Sequence, residues 1–162
     1  SRIEMNEHVR PNAEVDLAQV ANHVRDVLGG MAKDAGCELR VTANGPLIVL
    51  GSRDELVQVV QNLAENALKY GSAGKLVEID VRRDGATIEV SVRDHGPGIA
   101  AEHIPRLTER FYRVNVQDSR SRGGTGLGLA IVKHIVNRHR GRLTITSEIG
   151  RGSTFAIRIP AK

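Results

Sequence analysis

Four polar residues near the middle of the chain, Asn62, Glu65, Asn66 and Lys69, have types and spacings that could do chemistry if their segment is helical. At about 100° per residue they share an arc of roughly 100°. Two amides, a carboxylate and an ammonium then form one stripe, able to hold a hard cation and a phosphate side by side. Asn is a mediocre helix former, so its use twice in mid-helix points to a need for neutral oxygens. A solvated helix face uses the same residue types, so the stripe alone does not decide the matter.

Two further segments carry chemistry. Asp94 to Ile99 reads D-H-G-P-G-I at the end of a strand-like run. The glycines admit close approach of a ligand, and the carboxylate can accept a hydrogen bond from an exocyclic amine. A strand also commonly ends in such a turn. Gly123 to Leu129 reads G-G-T-G-L-G-L and opens directly into an apolar helical run, where free amides and the positive helix end make an anion site. It is neither a Walker phosphate loop nor a Rossmann fingerprint, because no strand leads into it. Asp118 to Arg122, D-S-R-S-R, offers cations for closing over phosphates and reads equally as a linker.

The elements that must position these groups follow from periodicity. Leu17, Val20, Ala21, Val24, Val27, Leu28 and Met31 keep a helical period over Val15 to about Ala35. Cys37 to Ala43 and Leu47 to Leu50 are strand-like and are divided by Asn44-Gly45-Pro46. Ser52 and Glu55 have capping-box spacing and predict a second helix to about Tyr70, with Leu56, Val59, Val60, Leu63 and Ala67 opposite the polar stripe. Leu76 to Arg82 and Thr87 to Val92 flank the hairpin signal Asp84-Gly85. Ala101 to Phe111 is compatible with short helical turns, a third helix runs from about Leu127 to Arg140, and strands over 142–147 and 154–159 close the chain. Three helices on a mainly antiparallel, mixed sheet predict an α+β fold, a two-layer α/β sandwich.

Composition excludes several classes. Two Phe, two Tyr and no Trp among 162 residues leave no stacking platform for single-stranded nucleic acid. One Cys excludes an internal disulfide and a cysteine zinc site, and the six His have no ligand spacing. The net charge of +4 is compatible with anionic partners, and Arg138, Arg140 and Arg142 form the obvious basic group. Ile3, Met5 and Val9 among charged residues before Pro11 read as the last turns of a helix.

In this order, the segments resemble the ATP-binding domain of bacterial sensor histidine kinases. Asn62 to Tyr70, N-L-A-E-N-A-L-K-Y, is similar to that family's asparagine box, and Asp94 to Ile99 to its first glycine box. Glu109 to Arg113, E-R-F-Y-R, is similar to its phenylalanine box, Gly124 to Leu129 to its second glycine box, and Gly150 to Phe155, G-R-G-S-T-F, to its C-terminal hairpin. Some likeness to phosphate-regulon sensors is included. The resemblance implies the Bergerat-type ATP-binding fold of gyrase, a heat-shock chaperone and mismatch-repair ATPases, over residues 13–162, with 1–12 a remnant of the dimerisation helix or linker.

The same resemblance implies ATP and Mg2+ as cofactors, and assigns residues by matching position. Asp94 takes the adenine amine, Asn66 the metal, and Asn62 supports it. Lys69 and Tyr70 contact phosphate or ribose. Gly96 and Gly98 shape the adenine wall, Ile99 belongs to the nucleotide-binding set, and Thr154 lies near the adenine. Gly124, Thr125, Gly126, Leu127 and Gly128 wrap the triphosphate, and Arg113 neutralises charge on the transferring phosphoryl. Asn62, Asn66, Lys69 and Arg113 form the catalytic set. Asn115 to Thr125 is expected to be a lid ordered by the triphosphate. Thr108 stands where the family often has an aromatic residue, which bears on how that lid packs.

The family's phosphoacceptor His is followed by an acidic residue and then a basic residue and Pro. His8 precedes Val9-Arg10-Pro11 and His134 precedes Ile135-Val136, so neither has that neighbourhood. The expected function is therefore phosphoryl donation to a His on a separate dimerisation and phosphoacceptor domain, with a response regulator acting through that domain. The expected setting is cytoplasmic, without direct membrane or nucleic-acid contact, although the full-length protein is compatible with a membrane anchor. The alternative is an anti-sigma-factor-like module that uses nucleotide to control a partner.

Overall fold

The computed structural model describes residues 11–110, 112 and 128–162. Of the expected remnant over 1–12, residues 1–10 lie outside the described residues, as do the lid over 115–125 and Phe111, Arg113, Gly124, Thr125, Gly126 and Leu127, while Pro11 and Asn12 are not helical. Strand β1 (Ala13–Asp16) leads into helix α1 (Leu17–Asp34), followed by β2 (Glu38–Ala43), β3 (Ile48–Gly51) and α2 (Arg53–Tyr70). Then come β4 (Leu76–Asp84), β5 (Thr87–Asp94), a 3-10 turn over Ala101–Arg106, α3 (Gly128–Arg138), β6 (Arg142–Glu148) and β7 (Gly152–Pro160).

The expected two layers are present. Five strands in the order β2-β4-β5-β7-β6 form the main sheet, antiparallel throughout except for the parallel β2-β4 pair. Val77, Ile79 and Val81 of β4, Ile88, Val90 and Val92 of β5, and Phe155, Ile157 and Ile159 of β7 are buried on one face, in one core with the apolar sides of the helices. Period-2 alternation in the strands and period-3.6 patterning in the helices meet there. The other face carries charge: Arg40 pairs in register with Glu78, Glu78 with Arg93, and Glu89 with Arg158.

The structure differs from the sequence reading at the first helix. Val15 and Asp16 are not helical; they end β1, which runs antiparallel to β3 in a separate two-stranded sheet. Asp16 decides the boundary, because its Oδ1 accepts from the Ala18 amide at 3.0 Å as an N-cap and from the Leu47 amide at 3.1 Å. That one carboxylate ties the start of α1 to the entry of β3. Val27, counted on the apolar side, is 50% exposed.

Helix α2 follows its sequence signals closely. Ser52 Oγ accepts from the Glu55 amide at 3.4 Å, Asp54 and Glu55 lie in the first turn, and Leu56, Val59, Val60, Leu63 and Ala67 are buried. Its first turn is pinned from α3. Arg138 Nε lies 3.1 Å from Glu55 Oε1, both side chains nearly buried, and the Ser52 amide donates to Nε2 of the fully buried His139 at 3.0 Å. Accepting there fixes the imidazole as the neutral tautomer, whose Nδ1–H donates to the Ile135 carbonyl at 2.8 Å. Arg138 therefore belongs to an interior pair, which removes it from the basic surface group with Arg140 and Arg142.

Candidate functional site

The polar stripe lies where α2 faces α3. Asn62, Glu65, Asn66 and Lys69 are each half-buried, so the stripe is not a solvated face. Asn62 Nδ2 donates to the Gly128 carbonyl at 3.5 Å, placing the first residue of α3 beside the asparagine pair and leaving the Asn62 amide oxygen as an acceptor. Glu65 Oε1 accepts from Gln61 Nε2 at 3.0 Å. Asn66 makes no side-chain hydrogen bond among the described residues. Two amide oxygens one turn apart, with the Lys69 ammonium a turn further on, fit a hard cation and the phosphate it carries.

Asp94 ends β5, paired in register with Val77 of β4 and Ser153 of β7. It is one of three buried polar side chains among the described residues, at 6% exposure, with Ser153 and His139 the others. Its Oδ1 accepts from the Gly96 amide at 3.0 Å. Burial pushes the Asp94 carboxyl above its ordinary range, opposed by the backbone amides of Gly96 and Ser153 and by His95. His95 is drawn the other way, with Nε2 2.8 Å from Glu78 Oε1. Each carboxylate oxygen has more than one lone pair, so a carboxylate bonded to backbone amides can still accept from an amine donor.

Glycine builds the walls around this carboxylate. Gly98 has φ +79° and a Cβ there would lie 2.3 Å from the Glu148 carbonyl oxygen; Gly152 has φ +107° and its Cβ would lie 2.1 Å from the Asp94 carbonyl oxygen. The loop after β5 is thereby locked to the β6–β7 hairpin. Gly150 N donates to the Pro97 carbonyl at 2.8 Å and the Ile99 amide to Ser147 Oγ at 2.7 Å, and Ser147 Oγ bonds the Gly152 carbonyl and Ser153 Oγ.

The candidates from the sequence thus fall into groups. Asp94, Gly96, Gly98 and Ile99 share one loop, with Gly152 packed against it. Asn62 and Gly128 meet directly. Tyr70 lines a cavity of about 520 Å3 with Ala35, Gly36, Ser72, Ala73, Lys75 and Pro97, which none of the other nucleotide candidates line. Thr154 is half-buried and paired with the exposed Arg93, on the opposite face of β7 from Asp94's partner Ser153. Ser153 and Ser147 adjoin the candidate carboxyl without a signal in the sequence; the turn at Gly150-Arg151-Gly152 marks the hairpin, but only register reveals which serine pairs with Asp94. Tyr112, next to Arg113 in sequence, bonds His103 Nδ1 through its hydroxyl, and the Arg106 guanidinium lies 4.4 Å from its ring centre.

Residues 51–162 match the histidine kinase-, DNA gyrase B- and HSP90-like ATPase family. The chain belongs to that family. This ATPase domain is 41% identical over 161 residues to the sensor-like histidine kinase SenX3 of Mycobacterium tuberculosis, covering 99% of this chain and 39% of SenX3. It is 40% identical over 157 residues to the phosphate regulon sensor protein PhoR of Pseudomonas aeruginosa, covering 96% of this chain and 35% of PhoR. Among solved structures, full-length ShkA in complex with AMPPNP matches with a TM-score of 0.81 and 29% identity, over 94% of this chain and 31% of that one. The mycobacterial sensor histidine kinase MprB matches with a TM-score of 0.79 and 28% identity, over 93% and 98% of the two chains. The chain is a catalytic ATPase domain of the histidine kinase type, and it spans well under half the length of the SenX3 and PhoR proteins. No helix among the described residues is long and apolar enough to cross a membrane.

Proposed function

We propose that residues 13–162 bind Mg-ATP and donate its γ-phosphoryl to a histidine on a separate dimerisation domain of a cytoplasmic sensor-kinase unit. The observation that carries this reading is the buried Asp94 carboxyl, walled by glycine and set at the strand end, with the asparagine face of α2 beside Gly128. Asp94 accepts the adenine amine, Gly96, Gly98 and Ile99 face the ring, and Asn66 with Asn62 holds the metal. Lys69 binds phosphate and Tyr70 phosphate or ribose, Gly124, Thr125, Gly126, Leu127 and Gly128 wrap the triphosphate, and Arg113 meets charge on the moving phosphoryl. Thr154 belongs to the β7 strand that flanks the ring site. Bound Mg2+ supplies charge neutralisation between the phosphates. In the transfer, the P–O bond to the β-phosphate breaks, a P–N bond to imidazole forms, and ADP leaves. A response regulator then takes the phosphoryl from that histidine.

The experiment is labelling with γ-labelled ATP. The chain alone is expected to gain no acid-labile, base-stable phosphate: His139 is fully buried with both ring nitrogens bonded, and the exposed His134 has no acidic residue beside it. With a histidine-bearing dimerisation domain of this kinase type added, label is expected on that domain's histidine, slowly, because nothing tethers the two. ATP binding without transfer to any such acceptor contradicts the kinase reading and favours a nucleotide-controlled binding module. Asn66→Asp is expected to alter the magnesium dependence of binding; unchanged dependence removes Asn66 from the metal site.

A further inference from the structure

Most glycines of a fold are explained by a turn or by a positive φ, and Gly71 is explained by neither. It caps α2 with φ −115° and ψ 4°, a conformation open to any residue, and its amide donates to the Ala67 carbonyl as any helix end does. What it lacks is room. A Cβ at Gly71 would lie 2.3 Å from Cγ, 2.4 Å from Cβ and 2.6 Å from Oδ1 of Asp94, and these are its three nearest atoms. Gly96 repeats the pattern from the other side, since its Cβ would lie 2.7 Å from the Gly71 Cα. Two glycines face each other, and the Asp94 side chain occupies the clearance beside them. In a close-packed interior that clearance fixes the direction of the carboxyl.

We infer that Gly71 is a specificity-positioning residue: by giving up its side chain it lets the end of α2 seat the Asp94 carboxylate toward the 6-amino group of a purine. This rests on the reading of Asp94 as the adenine acceptor and adds to it the residue that sets its aim. Gly71 touches no ligand in this role. It works through Asp94, and it joins the helix that carries Asn62, Asn66 and Lys69 to the strand end that reads the base. A methyl group at position 71 presses on the Asp94 Cβ as well as on its carboxyl, so the end of β5 shifts and the carboxyl loses its aim, while the glycine walls and the α2 face still offer the purine and the phosphates their contacts.

The test compares ATP with purine riboside triphosphate, which lacks the 6-amino group, by titration calorimetry on the whole chain with magnesium present. The wild-type chain is expected to prefer ATP by roughly ten- to hundredfold, the value of one charge-assisted hydrogen bond. Gly71→Ala is expected to lose that preference to within about twofold while its affinity for purine riboside triphosphate changes little, a pattern that mere loosening of the fold does not produce. A Gly71→Ala chain that keeps the wild-type preference overturns the inference and leaves the functional reading standing. A wild-type chain without preference overturns the functional reading itself, and this inference with it. If Gly71→Ala does not fold, Asp94→Gly in the same chain removes all three crowding atoms and is expected to restore cooperative thermal unfolding; failure to restore it overturns the inference.

Discussion

Asp94→Asn is expected to raise the thermal stability of the chain at neutral pH while removing most of its affinity for ATP. The two effects share one cause. Burial holds the Asp94 carboxyl above its ordinary range, so between the unfolded and folded values the folded chain keeps a proton that the unfolded chain has lost. Stability then falls as pH rises through that window, and at neutral pH the folded chain carries the full cost of a buried charge. The amide retains an oxygen for the Gly96 N–H and carries no charge. For binding the same change is adverse, because the group that turns toward the 6-amino donor is then itself a donor. One charge-assisted bond is worth about 1.5–3 kcal/mol, or roughly ten- to hundredfold in affinity. Melting curves from pH 4 to 8 and ATP calorimetry check both halves: the stability gain of Asp94→Asn should grow with pH. A variant that is less stable at neutral pH, or that binds ATP as the wild type does, contradicts this account of Asp94.

The largest loss of stability is expected from Arg138→Met. Most ion pairs among the described residues, such as Arg40–Glu38 and Arg151–Glu148, are exposed on both sides and contribute at most about 1 kcal/mol each. Arg138–Glu55 differs, with side-chain exposures of only 7% and 13%. Removing the guanidinium leaves Glu55 buried and unmatched in the first turn of α2, at a cost of about 3–5 kcal/mol. For a domain of this size that lowers the melting temperature by roughly 6–20 °C. Glu55→Met added to Arg138→Met is expected to recover most of the loss, since an apolar pair of similar volume replaces a desolvated ionic one. Urea unfolding of both single variants and the double variant measures the coupling; a single variant as stable as the wild type shows that the pair does not hold α3 to α2.

What the sequence reveals of this fold follows from the range of the forces involved. Helix α2 and the β4–β5 hairpin are legible because their signals are local: a cap at Ser52, an apolar period, and Asp84-Gly85 between alternating strands, with Gly85 at φ +60°. Strand β1 is not legible, since its four residues bury only Val15 and their partner β3 is distant in sequence. The Asp16 cap is equally hidden, because half of its role is to hold the Leu47 amide. At the site, Asp94 and the asparagine pair show in residue type and spacing, whereas Ser153, Gly71 and the Arg138–His139 clamp acquire meaning only through register and packing. His139 shows the limit well: nothing near it in sequence foretells a neutral, fully buried imidazole that accepts from the Ser52 amide. The distinction matters for function, since residues that touch a ligand tend to be visible by type, and those that aim them do not.

The central claim, that Asp94 and the α2 asparagine face together bind Mg-ATP, is tested most directly by titrating the chain with ATP in a calorimeter, with and without magnesium, and with GTP as the control. Saturable ATP binding that tightens with magnesium is expected, with GTP much weaker, because its 6-carbonyl cannot donate to a carboxylate. Equal binding of GTP and ATP, or no heat of ATP binding in folded protein at millimolar nucleotide, contradicts the claim.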